Sequence, residues 1–515
     1  MRIVSPAGAV RSRVGFIVPR WTVDPVPFGA QGVPFRSMAV AAALVAAGHE
    51  VVWFDQEHDL DRTDRSEDLR GALRGVTVSF VWMSDLAPGT QIANLLLFAR
   101  RLKSWNPAMR VVTGGGFITL FRPEGLDAEG VPVDYYLRGY GTEGAVALLE
   151  ALERGAEPSL LGRVPGLVFR DGALHRNPIS PRDRLKPEHA LLYRELDLAP
   201  YVQRGGIFGN GLPTLIVGTG QGCAKGCGFC YWRNHSPSQL DAETVAALVV
   251  SLRARYGVRQ FHFGELDFFS NRLRPLALSR LLARRAPDCR WFALCSPADA
   301  LKLEDADWTT LAAGGCRKLE FGAETGSLAM LRAIGKRHTP DDVVAVARRA
   351  LANGIQPMVN FVFALVGETA ADRAASLDLV ERLHALAPGR IHFTFRFFQP
   401  TWDTPMGDAA IAAVPGFPKT LDDMLRFRPG FGAAGTRSLL WIDAESEALV
   451  KRIVFHDLPL ATGNRLPDGR LRRLAFRALR EIARLRLRLR VFDGSLDRVL
   501  YRKLVRMPLD TTYAE

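Results

Sequence analysis

The sequence predicts an α/β protein in three parts. These are an N-terminal doubly wound Rossmann-like sheet, a partial (β/α)6 TIM-like barrel, and a mainly helical, basic C-terminal segment. Three observations carry this expectation. Short apolar runs alternate with amphipathic stretches from Val14 to Arg154 and again from Thr214 to Phe397, the pattern of parallel sheets covered by helices. Glycines gather where runs of the first set end, at Gly114-Gly115-Gly116 and at Gly139-Tyr140-Gly141. A glycine-rich loop carrying Cys223, Cys227 and Cys230 follows the first run of the second set.

In the first part, Val14–Val18 reads as a buried strand and Pro34–Ala47 as a helix stopped by Gly48. Glu50–Asp55 is a second strand, Ser66–Leu73 a helix and Val76–Met83 a third strand. Thr90–Trp105 is an amphipathic helix with Ile92, Leu95, Leu96, Phe98 and Leu102 on its apolar face. Arg110–Thr113 and Val133–Leu137 are the fourth and fifth strands, followed by a helix to Arg154. Open parallel sheets bind ligands at the carboxyl ends of their strands. Those ends are Trp82-Met83-Ser84, the glycines through Phe117, and Gly139–Thr142. On their own, such glycines read as tight turns.

The boundaries follow from composition. Residues 1–156 form the first domain. Residues 157–210, rich in Pro, Gly and Arg, read as a connector holding one hairpin turned at Asp171-Gly172. Residues 211–410 are the barrel and 411–515 the C-terminal segment. In the barrel, strands fall near 214–219, 259–264, 289–295, 317–323, 356–363 and 390–397. Helices fall near 240–256, 272–286, 305–313, 340–353 and 369–387. Phe261, Phe263, Phe393, Phe395 and Phe397 alternate at the strand period and read as core. Carboxylates stand at strand ends: Glu265 and Asp267 after the second, Glu324 after the fourth. Lys336 and Arg337 read as solvated.

The length allows two to four domains. Cys289, Cys295 and Cys316 sit in apolar settings and read as core thiols, so the chain is no secreted disulfide framework and a reducing cytoplasm is expected. No run of eighteen apolar residues and no signal peptide is apparent. The net charge is +13, much of it in the last fifty residues. Arg470–Arg490 reads as a basic helix with Leu471, Leu474, Leu479, Ile482, Leu485 and Leu489. Three uses compete: a cap over the barrel mouth, contact with an anionic membrane surface, or an acidic or nucleic-acid partner. The cap is preferred. With no recognised binding module, nucleic acid is not expected.

The cysteine loop is the most specific signal. Its C-x3-C-x2-C spacing suits three irons of a [4Fe–4S] cluster, leaving the fourth iron open. A zinc site would want a fourth ligand, and His235 is near in sequence. Three cysteines pair badly as disulfides. With Phe229 before the last cysteine, the loop resembles that of the radical S-adenosylmethionine (SAM) enzymes. The glycine-bearing sheet placed before it resembles the cobalamin-binding domain of the cobalamin-dependent members of that family.

The resemblance implies a [4Fe–4S] cluster on Cys223, Cys227 and Cys230. It implies SAM held by Phe229, Glu265 and Glu324, with Asp267 as the alternative to Glu265. It implies cobalamin lying along Gly114, Gly115, Gly139 and Gly141. The histidine that many cobalamin proteins offer to cobalt has no counterpart. His58, in Asp55-Gln-Glu-His58, lacks the matching glycine and follows the wrong strand. Trp82 or Met83 is then the candidate beneath the corrin. The segment Asn360–Thr369 departs from the family pattern, with Ala364 for a glycine and Val366 for a proline.

By the same resemblance, reductive cleavage of SAM would give a 5′-deoxyadenosyl radical that functionalises an unactivated carbon. C-methylation of a small-molecule or lipid-like substrate is the expected outcome. The alternatives are an anaerobic oxidative cyclase acting on a tetrapyrrole without net methylation, and a non-catalytic cobalamin- or metal-responsive regulator. An electron donor such as flavodoxin or ferredoxin is implied. No second cysteine cluster supports a methylthiotransferase.

Overall fold

The computed structural model describes residues 2–19, 32–56, 66–82, 88–115, 132–181, 183–204, 210–233, 235–415, 417, 439–463, 470–492 and 500. Met83, His58, Gly116 and Phe117 lie outside them. The chain divides into two compact units.

The first unit is built on an eight-stranded sheet. Its strands are β1 (Arg2–Val4), β2 (Arg13–Val18), β3 (Glu50–Asp55), β4 (Val78–Trp82), β5 (Arg110–Gly114), β6 (Tyr135–Leu137), β7 (Leu167–Asp171) and β8 (Ala173–Arg176). Their order is β1-β3-β2-β4-β5-β6-β7-β8. The five central strands run parallel in the order β3-β2-β4-β5-β6, a doubly wound arrangement with its switch between β2 and β4. Four of the connecting helices are α1 (Phe35–Ala46), α2 (Ser66–Ala72), α3 (Pro88–Trp105) and α4 (Thr142–Glu153). The strands are buried on both faces, which is why Val-Gly-Phe-Ile-Val and Val-Val-Trp-Phe read as continuous apolar runs.

Residues 157–210, read as a connector, do more than link. The hairpin β7–β8 pairs antiparallel with β6 and widens the first sheet. Asp183 returns to the start of α4 and accepts hydrogen bonds from the Thr142 hydroxyl and N–H. Alternation and an Asp-Gly turn announce a hairpin, but not the sheet edge on which it docks.

The first unit also holds β9 (Gln203–Arg204), β10 (Pro213–Val217), the pair β11 (Gly220–Cys223, through Gly222) and β12 (His235–Gln239), α5 (Ala242–Tyr256) and β13 (Gln260–Phe263). Strand β10 runs parallel to β13.

The second unit contains α6 (Leu273–Arg285), β14 (Arg290–Leu294), α7 (Asp305–Ala313), β15 (Cys316–Glu324), α8 (Leu328–Ala333), α9 (Pro340–Ala352), β16 (Gln356–Phe363), α10 (Ala370–Leu386), β17 (His392–Phe397) and α11 (Pro405–Ala412). Its four strands run parallel in chain order. Val359, Phe361 and Phe363 on one face of β16 pack with Leu377, Val380 and Leu383 of α10. The other face carries Asn360, which donates to Glu320 and accepts from Thr394, between Met358 and Val362. Phe261 and Phe263 are buried, whereas Phe393, Phe395 and Phe397 are half-buried against the second unit's core. Cys289, Cys295 and Cys316 are buried thiols outside any disulfide, as expected.

The C-terminal segment holds helices α12 (Ala444–Arg452) and α13 (Arg470–Leu489). Phe476, Leu479, Ala483 and Leu487 of α13 join Val359, Phe361 and Phe363 in one apolar cluster, so α13 thickens the helical layer of the sheet. Among the described residues no helix is long and apolar enough to cross a membrane.

Candidate active site

The cysteine loop lies in the second unit from Cys223 onward. The Gly228 N–H donates to the Ile334 carbonyl at 2.9 Å, and the Met406 N–H donates to the Gly228 carbonyl at 3.0 Å. The loop is thereby pinned to the residues after α8 and to the start of α11. All three thiols are free; Cys227 is buried, and Cys223 and Cys230 are half-buried. Burial, helped by the Asp267 carboxylate, pushes the Cys223 thiol up to about 12. Burial pushes Cys230 up to about 11. Holding these sulfurs as thiolates therefore needs positive charge nearby.

Two lysines bear on the loop, Lys225 from within it and Lys336 from beyond α8. Lys225 reaches Asp267 at 2.7 Å and Asp299 at 2.6 Å, and the Cys223 thiol lies 3.6 Å from the same Asp267 oxygen. Burial works to lower the Lys225 ammonium, but the two carboxylates outweigh it and hold it charged. Lys336 donates to Glu324 at 2.7 Å and sits 5.9 Å above the centre of the Phe229 ring. Burial opposes its charge, while Glu324, Cys227 and Cys230 favour it and prevail. The solvated reading of Lys336 is thus corrected: the chain folds it inward beside the cluster loop, while Arg337 remains exposed.

Glu324 ends β15 under strain. The β15–β16 register slips between Gly322 and Glu324, and Glu324 has φ +64°. Ala364, just beyond β16, has φ +59°, and Asp403, beyond β17, has φ +58°. Non-glycine residues in this region cost about 1–3 kcal/mol each and collect at functional sites. The Trp441 indole N–H holds the Ala364 carbonyl at 2.7 Å, and the Glu368 carboxylate holds its N–H at 2.9 Å. The glycine expected at 364 is thus replaced without losing the left-handed turn.

Among the described residues no three His, Cys, Asp or Glu side chains gather closely enough to share one ion. Three free thiols spread along a braced loop fit ligands to separate irons of one cluster.

In the first unit, Glu265 is buried and both its oxygens are used. One accepts from the Thr219 hydroxyl, and the other accepts from Gln239 at 2.9 Å. Tyr193 brackets Gly218 by accepting its N–H and donating to its carbonyl, each at 2.9 Å. These contacts hold the stretch that leads into the cysteine loop. Asp267, the alternative to Glu265, is occupied by Lys225.

The four glycines behave differently from a bare ligand cradle. A side chain at Gly114 or Gly141 would collide with the Trp82 indole, and one at Gly139 would meet Ile179 at 2.7 Å. Gly115, Gly139 and Gly141 have φ of +107°, +83° and +83°. The space left by Gly114 and Gly141 is therefore taken by Trp82, which is fully buried at the carboxyl end of β4. Its indole N–H has no acceptor among the described residues. A buried donor without a partner is one that a bound group would satisfy.

The sequence matches the radical SAM superfamily over residues 217–380. Residues 217–380 are thus a radical SAM domain. A [4Fe–4S] cluster and SAM are the cofactors of the radical SAM domain. An uncharacterized methyltransferase of Pyrococcus horikoshii is 26% identical over 367 residues, covering 69% of this chain and 74% of that protein. The fold is similar to that of TsrM, a radical SAM methyltransferase from Kitasatospora setae with tryptophan substrate and a SAM analogue bound. The TM-score is 0.59 at 20% identity, over 78% of this chain and 76% of that one. It is also similar to OxsB, a cobalamin-dependent SAM radical enzyme with aqua-cobalamin and SAM bound. Here the TM-score is 0.66 at 14% identity, over 96% of this chain and 75% of that one. The predicted order of a doubly wound sheet followed by a radical SAM barrel is thus the fold of these proteins.

Lys225 and Asp299 were not singled out from sequence, and Lys336 was read only as solvated. Lys225 carries a signal in hindsight, as a cation inside the C-x3-C interval. Lys336 carries none, since it stands in a polar Gly-Lys-Arg-His run.

Proposed function

We propose that this radical SAM enzyme is cobalamin-dependent and methylates an unactivated carbon of a small-molecule substrate. One observation carries the reading. A three-thiol loop braced for a cluster follows a doubly wound domain in which Gly114 and Gly141 lie against the buried Trp82 indole, whose N–H has no acceptor among the described residues. When bound, the cluster supplies an electron to SAM and cobalamin supplies the methyl group.

In this reading the side chains have distinct tasks. Cys223, Cys227 and Cys230 hold iron. Lys225 and Lys336 offset the thiolate charge. Phe229, Glu265 and Glu324 are the proposed SAM contacts; Glu324 also keeps Lys336 in place, and Glu265 braces Thr219 and Gln239. Gly114, Gly115, Gly139 and Gly141 with Trp82 form the proposed floor for cobalamin. A lipid-like or tetrapyrrole substrate, a flavodoxin- or ferredoxin-type electron donor and a cytoplasmic setting belong to the same proposal.

The test is anaerobic reconstitution with iron, sulfide and cobalamin, followed by absorption spectroscopy and assay of 5′-deoxyadenosine. Cluster and corrin bands together with SAM cleavage are expected. Changing all three cysteines to alanine should abolish cluster absorbance and 5′-deoxyadenosine formation while corrin uptake persists. Uptake of zinc without iron and sulfide would sink the reading. 5′-Deoxyadenosine with no methylated product from any accepted substrate would favour a cyclase-type outcome. Corrin binding without SAM cleavage would favour a regulator.

A further inference from the structure

Helix α13 has two apolar faces, and the second unit uses only one. Phe476, Leu479, Ala483 and Leu487 are buried in the core. Leu474, Ile482, Leu485 and Leu489 are 70%, 42%, 54% and 59% exposed. These four stand at i, i+8, i+11 and i+15, a single stripe along the helix. Four large aliphatic side chains in line at such exposure exceed the scattered apolar residues of an ordinary surface.

The charge around the stripe is one-sided. Between Arg470 and Leu489 there are eight arginines and one acid. That acid, Glu481, pairs with Arg484 at 2.6 Å. Other cations serve the fold: Arg484 donates to the Ala461 carbonyl at 3.2 Å, and Arg490 pairs with Asp378 and Glu381. Arg473, Arg477 and Arg488 are exposed. On a helical projection Arg477 and Arg488 border the leucine stripe.

We propose that α13 docks this protein on an anionic lipid bilayer. The Leu474–Leu489 stripe enters the headgroup boundary, and the flanking arginines meet lipid phosphates. Charge complementarity selects this occupant. A second copy of the chain would bring like-charged arginines together. Nucleic acid would leave four aliphatic side chains unused. The surface does not depend on the reaction proposed above, so either can fail alone.

The experiment is sedimentation of the full-length protein with vesicles of phosphatidylcholine alone or mixed with phosphatidylglycerol. Partitioning about tenfold stronger onto the anionic vesicles is expected, with release at high salt. The exposed variants L474Q/L485Q/L489Q and R477Q/R488Q should each lower it by about tenfold with unchanged circular dichroism. No pelleting with anionic vesicles overturns the proposal, whatever the variants do. So does equal binding to both vesicles. A concentration-dependent dimer or a duplex-DNA complex that replaces vesicle binding and is lost in the leucine variant also overturns it.

Discussion

Lys336 and Glu324 have side chains only 12% and 11% exposed, and their charged atoms lie 2.7 Å apart. Removing one partner of such a pair leaves an uncompensated buried charge, typically at a cost of about 3–5 kcal/mol. The ammonium also faces Cys227 and Cys230, so its charge bears on whatever those thiolates hold. In reconstituted protein, Lys336→Met should lower the cluster's midpoint potential in an EPR-monitored titration, because a nearby cation favours the reduced state. Lys336→Arg should keep the potential near that of the wild type. Equal potentials for Met and wild type would show that the lysine serves only to hold Glu324.

The strand ends, as elements, combine strain with buried charge. Beyond β16, Glu368 is almost wholly enclosed. Burial pushes its carboxyl up to about 7 from an ordinary 4.5, and the Ala364 N–H and Arg373 only partly offset this. The folded state therefore keeps a proton there that the unfolded chain has released. The stability this provides is complete below pH 4.5, is lost as pH rises to about 7, and is absent above. The full effect is roughly 3 kcal/mol at most. Urea unfolding across this range should show Glu368→Gln lacking that downward slope relative to wild type. Parallel slopes for the two proteins would place the carboxyl in contact with water.

At the scale of the whole molecule, each of the two units has a sheet whose covering layer completes the core. In the second unit part of that layer comes from α13, far along the chain from the β16 residues it covers. Leu479→Ala should therefore destabilise the protein by about 2–4 kcal/mol, seen as a lower denaturation midpoint. A variant as stable as wild type would mean that α13 only rests on the surface.

How much was legible divides along the range of the forces involved. Strand and helix spans follow from periods of two and 3.6 residues, and the cysteine loop from ligand spacing over eight positions. These are local properties, so the sequence alone determined the order of elements and the presence of a radical SAM domain. The edge on which the β7–β8 hairpin docks, the burial of Lys336 and the choice between two apolar faces of α13 are decided by contacts between residues distant in the chain. Only the tertiary structure could settle them. A charged side chain in a polar run looks solvated until a remote carboxylate folds against it, and a helix with two greasy arcs does not say which one will be covered.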